Sequence, residues 1–131
     1  MTITQKLFVL AAMFFCHIVD DYYLQGILAQ MKQRKWWEAN APGSFYRLDY
    51  IAALVEHAFS WSFVMSIPIL VLAIVTHNET MLGLVLVSYI INTCTHAVID
   101  HLKANVRAIN LVIDQYLHIV QIAMLWWVAV F

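Results

Sequence analysis

Four long apolar runs constrain this sequence more than any other feature, and they lie at about residues 7–31, 50–75, 81–102 and 111–131. A helix that spans a bilayer needs about 20 mostly apolar residues, and each run meets that length. A barrel strand is much shorter and alternates apolar with polar residues, which these runs do not. The pattern therefore predicts an all-α integral membrane four-helix bundle, with residues 1–131 as a single transmembrane domain.

The composition also excludes an ordinary soluble domain. Hydrophobic residues make up 63% of the chain and charged residues 11%, against about 45–50% and about 25% in soluble domains. A soluble domain of this size keeps roughly a third of its chain surface wet, so it could not hide so many apolar side chains. The net charge of −1 offers no basic surface for nucleic acid. The lipid bilayer is the predicted surrounding.

The basic residues predict an orientation in the membrane. Six of the seven lysines and arginines lie in residues 32–49 and 103–110, and only Lys6 lies on the other side of the predicted bundle. Because cytoplasmic loops carry the excess of basic residues, both segments are predicted to be cytoplasmic and both termini to lie outside. Residues 32–49 also contain Trp36 and Trp37, which favour the membrane interface. The chain is thus predicted to be a multi-pass protein of the inner (cytoplasmic) membrane.

Ionisable residues recur inside the predicted spans, where they are costly and usually functional. Residues four apart share one face of a helix, and three such stripes occur, with a single histidine in the remaining span. At about 1.5 Å per residue, the histidines of the last three spans lie about 9–10 Å from the predicted cytoplasmic ends. The stripes are His17–Asp21–Gln25, His96–Asp100–Lys103 and Asp114–His118, and the single histidine is His57.

These residue types favour a divalent metal. An unpaired buried carboxylate costs several kcal/mol, roughly, so a cation or protonation must compensate for the three aspartates of the stripes. Imidazole and carboxylate ligands suit zinc first, with manganese or iron as alternatives. Seven candidate ligands exceed one tetrahedral site, which favours two metals or one site with spare neighbours. The candidate ligands are His17, Asp21, His57, His96, Asp100, Asp114 and His118.

Other polar residues near the stripes are candidates for catalysis or substrate binding. Lys103 continues the His96 stripe and is interpreted either as a counter-ion for the aspartates or as a group that holds a substrate phosphate. Gln25 and Gln115 are predicted to orient that substrate. Glu56 precedes His57 but is rotated from it by about 100° on a helix. It is interpreted either as a partner that orients an imidazole or as a general base, and Lys103 is the second catalytic candidate.

A short internal similarity suggests a duplication. Residues 17–21 and residues 96–100 both read H-x-V-x-D, and each lies on an odd-numbered span. Each is followed by an even-numbered span with one histidine at membrane depth. The similarity suggests two pseudo-repeated helical hairpins, related by an axis along the membrane normal.

Taken together, the stripes resemble a known family. The combination HxxxDxxxQ at 17–25, His57, HxxxDxxK at 96–103 and DQxxH at 114–118 resembles a family of small bacterial and phage integral membrane proteins that is catalogued as a domain of unknown function. The resemblance covers all four spans. It implies a compact four-helix membrane protein and supplies no activity.

Three functions fit these features. The first is a metal-dependent hydrolase whose His/Asp site opens to the cytoplasm and acts on a lipid or a phosphate-containing small molecule. The second is a proton or divalent-cation transporter, although the outer half of each span is nearly all apolar. The third is a small interaction or accessory protein whose polar network is structural. A homo-oligomer is expected for any of them, since so short a bundle has few interior positions.

Overall fold

The computed structural model describes residues 1–131 and contains helices only. Two π-helical turns, Asp20–Leu24 and Leu102–Val106, continue α1 and α5, and a 3-10 turn, Ser44–Tyr46, precedes α4. The four long helical segments are apolar and long enough to cross a membrane. The predicted all-α fold with four candidate spans is therefore confirmed. The helices are α1 (Ile3–Val19), α2 (Leu28–Met31), α3 (Arg34–Asn40), α4 (Asp49–Val75), α5 (Glu79–His101) and α6 (Leu111–Val130).

The long helices pack as a closed bundle. Helix α1 packs on α4, α4 on α5, α5 on α6, and α6 returns to α1. Short polar side chains fix three of the helix starts: Thr2 forms a capping box with Gln5, and Asn78 and Asn110 each accept a backbone N–H three residues further along. These caps satisfy N–H groups that a helix start leaves without partners.

The two halves of the bundle interior differ in chemistry. The half near the termini holds a core of 11 buried apolar residues, among them Met65, Ile69 and Ile122. The other half holds the buried histidines and aspartates. Large apolar side chains such as Phe8 and Ile90 point outward, with 75% and 67% of their surface exposed. An apolar exterior of this kind needs a lipid or protein partner, which agrees with a membrane location.

The long helix in the first apolar run ends earlier than the sequence predicts. The run at 7–31 becomes α1, a π-helical turn, a turn at Gly26 and the short α2. In the π-helical turn the Gln25 N–H donates to the Asp20 carbonyl five residues back. The wider turn buries two consecutive carboxylates, Asp20 and Asp21, which a regular helix would place about 100° apart.

Gly26 supplies a backbone conformation that other residues rarely adopt, with φ at +50°. We expect Gly26→Ala to destabilise the protein by about 1–2 kcal/mol, because an L side chain in the left-handed region clashes with its own backbone. Gly83 is the matched control: it lies inside α5, and a Cβ there would meet nothing within 4 Å. Gly83→Ala should be neutral or stabilising by up to about 1 kcal/mol. Thermal unfolding in detergent micelles measures both, and a Gly26→Ala variant as stable as Gly83→Ala would contradict the expectation.

Candidate metal centre

Three of the long helices bring three histidines and one aspartate together in one buried region of the bundle. The Nε2 atom of His57 lies 3.2 Å from His96 Nε2 and 3.2 Å from Asp100 Oδ2. The other Asp100 oxygen, Oδ1, lies 3.5 Å from His118 Nε2. All three histidines are fully buried, and Asp100 is 2% exposed. Donors about 2.0–2.1 Å from a tetrahedral zinc lie about 3.3–3.4 Å from each other, so these separations match those between the ligands of one metal.

Two more aspartates flank this group. Asp21 Oδ1 lies 3.5 Å from His57 Nε2, and Asp114 Oδ1 lies 3.5 Å from His118 Nε2. Two overlapping ligand sets result, Asp21–His57–His96 and His96–Asp100–His118, and within each set the ligand atoms lie within 4.8 Å of one another. These buried sets could bind a metal ion, as the sequence predicts.

His118 is held with a free nitrogen toward the carboxylates. Gln121 Nε2 donates to the backbone and side-chain oxygens of Asn92 at 3.4 and 3.3 Å, so its Oε1 faces His118 Nδ1 at 3.2 Å. The Nδ1–H of His118 therefore donates to Gln121, and its Nε2 carries a lone pair when the imidazole is neutral. That Nε2 has no hydrogen-bond partner and faces oxygens of Asp100 and Asp114. Two carboxylates at this distance require either a proton on Nε2, which makes the imidazole a cation, or a metal ion between the nitrogen and the oxygens.

The contact with Gln121 gives a prediction for metal affinity. We expect Gln121→Met to weaken zinc binding about 10- to 100-fold, because the partner that orients a ligating imidazole contributes that much to affinity. Competition with a zinc-chelating dye measures the change. Ser88→Ala, a polar-to-apolar change four residues before Asn92 on α5, serves as the control and should leave the affinity unchanged. Equal zinc affinity in Gln121→Met and the parent protein would show that Gln121 does not orient His118.

His17 lies beside the cluster with both ring nitrogens engaged. Trp61 Nε1 donates to its Nδ1 at 2.8 Å, and its Nε2 lies 3.2 Å from Gln115 Oε1. Since Nδ1 accepts, Nε2 carries the hydrogen and donates to Gln115. In this arrangement His17 belongs to neither ligand set. Its role as a metal ligand stays a prediction.

Two lysines pair with the buried aspartates. Lys103 Nζ lies 2.6 Å from Asp114 Oδ2, which is the counter-ion contact expected from the stripe. Lys32 Nζ lies 2.6 Å from Asp100 Oδ2, although in the sequence it is only one of the basic residues that predict the orientation. Three carboxylates thus face two ammonium groups. With neutral imidazoles these groups carry a net charge of −1, so either one protonated imidazole or a bound cation would offset the remaining negative charge.

The remaining site candidates have different positions. Gln115 Nε2 donates to Asp21 Oδ2 at 3.0 Å and to Asp114 Oδ2 at 3.1 Å, so it joins two of the flanking carboxylates. Gln25 donates to the Asp21 backbone carbonyl, and its own Oε1 is buried without a partner. Glu56 lies on the exposed face of α4, because a helix rotates it about 100° from His57. The structure does not bring Glu56 to the site, which removes the geometric basis for a catalytic role.

Trp61 and Asp20 are site neighbours to which sequence reasoning gave no firm role. The Trp61 ring is fully buried and stacks on His96, with the ring centres 4.2 Å apart. Its position four residues after His57 is the signal that could have indicated it. Asp20 is also fully buried and accepts a hydrogen bond from Ser60 Oγ at 2.7 Å. It lies outside both ligand sets.

Along the bundle axis, the cluster opens toward one end. A cleft of about 380 Å³ reaches Asp100 and is lined by Gln25, Lys32, Lys103 and Arg107 among others. On the opposite side, Trp61 and the apolar core close the bundle interior. The candidate metal centre is therefore a one-sided site beneath a cleft rich in basic residues.

Comparisons of the chain with protein-family models, curated proteins and solved structures find no match. The resemblance to the small membrane-protein family therefore rests on the motif alone and stays a prediction.

Proposed function

We propose that the protein is a membrane-embedded, metal-dependent hydrolase that acts on a lipid or a phosphate-containing small molecule. One observation carries the proposal. Two overlapping buried sets, Asp21–His57–His96 and His96–Asp100–His118, have ligand atoms close enough to hold a metal ion, and Asp100 lines a cleft that also contains basic residues. Zinc is the proposed ion, because imidazole nitrogen and carboxylate oxygen form its usual ligand set.

The residues around the cluster have the roles that hydrolysis of a phosphate ester needs. A divalent ion bound here would polarise a phosphoryl oxygen and activate water near neutral pH. Lys32 and Lys103 would neutralise charge on the phosphate, while Gln115 holds Asp21 and Asp114 in place. Asp114 Oδ1 is buried without a hydrogen-bond partner, so it can accept the proton of an attacking water.

The closed half of the bundle argues against transport. A transporter needs polar groups that lead from the site to both membrane faces. Here the interior beyond Trp61 is filled by Met65, Ile69, Ile122 and the rest of the apolar core. A purely structural network is the remaining alternative, in which a protonated His118 would pair with Asp100 and Asp114, and measured metal content distinguishes it from a metal site. The one-sided cluster therefore favours an enzyme.

The proposal includes a location. The cleft lies at the end of the bundle that carries residues 32–49 and 103–110, where six of the seven basic residues occur. By the positive-inside rule this end would face the cytoplasm of an inner-membrane protein. Cysteine accessibility in cells, with single cysteines at Lys35 and His77 in a chain whose own cysteines are changed to serine, would test the orientation. Light scattering in detergent would test whether the bundle forms a homo-oligomer.

Metal analysis followed by a hydrolysis assay tests the function. We expect purified protein to hold zinc in stoichiometric amount and to release product from at least one member of a panel of phospholipids, lipid phosphates and nucleotides. His96→Ala and Asp114→Ala should lose turnover, whereas His77→Ala, in the loop between α4 and α5, should retain it. Stoichiometric zinc without turnover on the panel would overturn hydrolysis and leave the metal site standing. Protein without affinity for zinc, manganese or iron would overturn both.

A further inference from the structure

A second opening leads from the candidate metal centre toward the lipid. A groove of about 640 Å³ runs between α1 and α6, with His17 and Gln115 on its floor. Its walls are apolar or aromatic and belong to membrane-spanning segments. Two tyrosines of the first π-helical turn, Tyr22 and Tyr23, border it with 58% and 77% of their surface exposed. The other walls are Phe14, Ile18 and Ile119.

The polar floor of this groove is connected to the metal centre. Gln115 accepts a hydrogen bond from His17, at 3.2 Å, and donates to Asp21 and Asp114. The groove is larger in volume than the basic cleft and has a mostly apolar lining. A groove open to lipid with polar groups only at its inner end suits a molecule with a long apolar part and a polar end.

The basic cleft has its own unusual feature at Arg107. This residue ends the second π-helical turn with φ at +60°, in the left-handed region. Glycine is the usual residue at such a helix end, because a side chain there is strained. Arg107 is exposed and forms no ion pair, while each lysine of the cleft uses one contact to an aspartate. An ammonium group has three donors, so all three basic residues retain hydrogen-bonding capacity for an anion.

The cleft and the groove meet at the same short stretch of chain. Tyr22 and Tyr23 border the groove, and Gln25, at the end of the same turn, lines the cleft. Gln25 donates to the backbone of Asp21, and Gln115 donates to its carboxylate. One residue, Asp21, therefore contacts a lining residue of each opening. Asp21 and the glutamines that contact it therefore lie between the inner ends of the two openings, beside the candidate metal centre.

We propose that the ligand is a phosphorylated lipid that enters sideways from the bilayer, with its phosphate in the Lys32–Lys103–Arg107 cleft and its chain in the α1–α6 groove. This inference rests on the proposed function for the identity of the site and specifies its substrate class. Charge complementarity selects an anionic headgroup, because three basic residues surround the cleft. The apolar groove selects a chain, which a free phosphate compound lacks.

Binding of three probes to the full-length protein in neutral detergent tests this inference. Lysophosphatidic acid has both chain and phosphate, lysophosphatidylcholine has the same chain with a zwitterionic headgroup, and inorganic phosphate has no chain. We expect lysophosphatidic acid to bind about 10-fold or more tightly than either of the others, since a hydrogen bond between charged groups accounts for about that factor. Equal affinity for the two lipids would overturn the phosphate cleft. Inorganic phosphate binding as tightly as lysophosphatidic acid would overturn the groove.

Single-residue variants, each with a control, test the phosphate contact in the cleft and the chain contact in the groove separately. Arg107→Gly removes the guanidinium and relieves the left-handed backbone, so it should fold at least as well as the parent and bind lysophosphatidic acid about 10-fold less tightly. Lys35→Ala, an exposed basic residue outside the cleft, is its control and should bind normally. Ile119→Trp should fill the groove and weaken both lipids equally, whereas Ile90→Trp, on the lipid-facing side of α5, should have no effect. Normal binding by Arg107→Gly or Ile119→Trp would overturn the corresponding contact.

The same measurements separate this inference from the proposed hydrolase activity. Selective binding of lysophosphatidic acid without any hydrolysis would leave lipid recognition standing and overturn the enzyme proposal. Hydrolysis of water-soluble nucleotides without selective binding of lysophosphatidic acid would overturn lipid recognition and leave the enzyme proposal standing.

Discussion

Replacing Asp100 by asparagine should abolish metal binding more completely than any other single conservative change. Asp100 is the only carboxylate that contacts all three histidines of the cluster, His57 at 3.2 Å, His118 at 3.5 Å and His96 at 3.7 Å. Asparagine keeps the volume but removes the negative charge. Residues that only support a ligand already account for about 10- to 100-fold in affinity, so we expect a loss of at least about 100-fold here.

Metal content and metal-dependent stability measure this effect. A metal that binds only the folded state at 100 times its dissociation constant stabilises it by about 2.7 kcal/mol. The parent protein should therefore melt at a higher temperature when zinc is added, and Asp100→Asn should not respond. Asp20→Asn is the matched control, because Asp20 is equally buried but hydrogen-bonds to Ser60 outside the ligand sets. A zinc-dependent melting shift in Asp100→Asn, or its loss in Asp20→Asn, would contradict this assignment.

The fold was predictable because the apolar runs are long and their separation by polar segments is sharp. The end of α1 was not, because a run of apolar residues does not show where the hydrogen-bond pattern changes. The π-helical turn begins at Asp20, where the Gln25 N–H skips to the fifth residue back. Beyond that point a spacing of four no longer describes one face. This is why Gln25 continues the stripe in sequence but faces the cleft instead of the histidines.

The candidate site was predictable where it depends on spacing along single helices. His96 with Asp100, and Asp114 with His118, are four residues apart, and each pair meets in the structure at 3.7 and 3.5 Å. Contacts between segments that are far apart in the sequence were harder to predict. Lys32 reaches Asp100 only because the chain turns at Gly26 and returns over the bundle end. Gly26 is the one local sign of this turn, and it does not report where the chain packs after it.

The two H-x-V-x-D segments share a local feature that supports the duplication hypothesis only in part. Each lies at the end of a long helix that continues into a π-helical turn. The registers differ, however: the first turn begins one residue before Asp21 and the second begins two residues after Asp100. As a result Asp21 lies within its π-helical turn, whereas Asp100 belongs to α5. Turns of this kind are frequent at functional sites, so shared function explains them as well as shared ancestry does.

Removing the Trp61 side chain should have the largest effect on stability of any single substitution in the bundle. Trp61 has no exposed surface, stacks on His96 at 4.2 Å and donates a hydrogen bond to His17 at 2.8 Å. Trp61→Ala would leave a large cavity between the metal centre and the apolar core, which typically costs about 3–5 kcal/mol. It would also leave His17 Nδ1 without its donor, which adds about 1–3 kcal/mol when the group stays buried. The free energy of unfolding, measured in mixed micelles with an increasing fraction of a denaturing detergent, gives the loss of stability.

Two variants separate the volume of Trp61 from its hydrogen bond. Trp61→Phe keeps one aromatic ring and removes the N–H with the rest of the indole, so we expect a loss of about 1–3 kcal/mol, well below that of the alanine variant. Trp127→Ala makes the same deletion at a position that is 60% exposed, and it should change stability by no more than about 0.5 kcal/mol. Loosening His96 should also weaken zinc binding in Trp61→Ala but not in Trp127→Ala. If the two alanine variants were equally stable, Trp61 would not be the residue that joins the metal centre to the core.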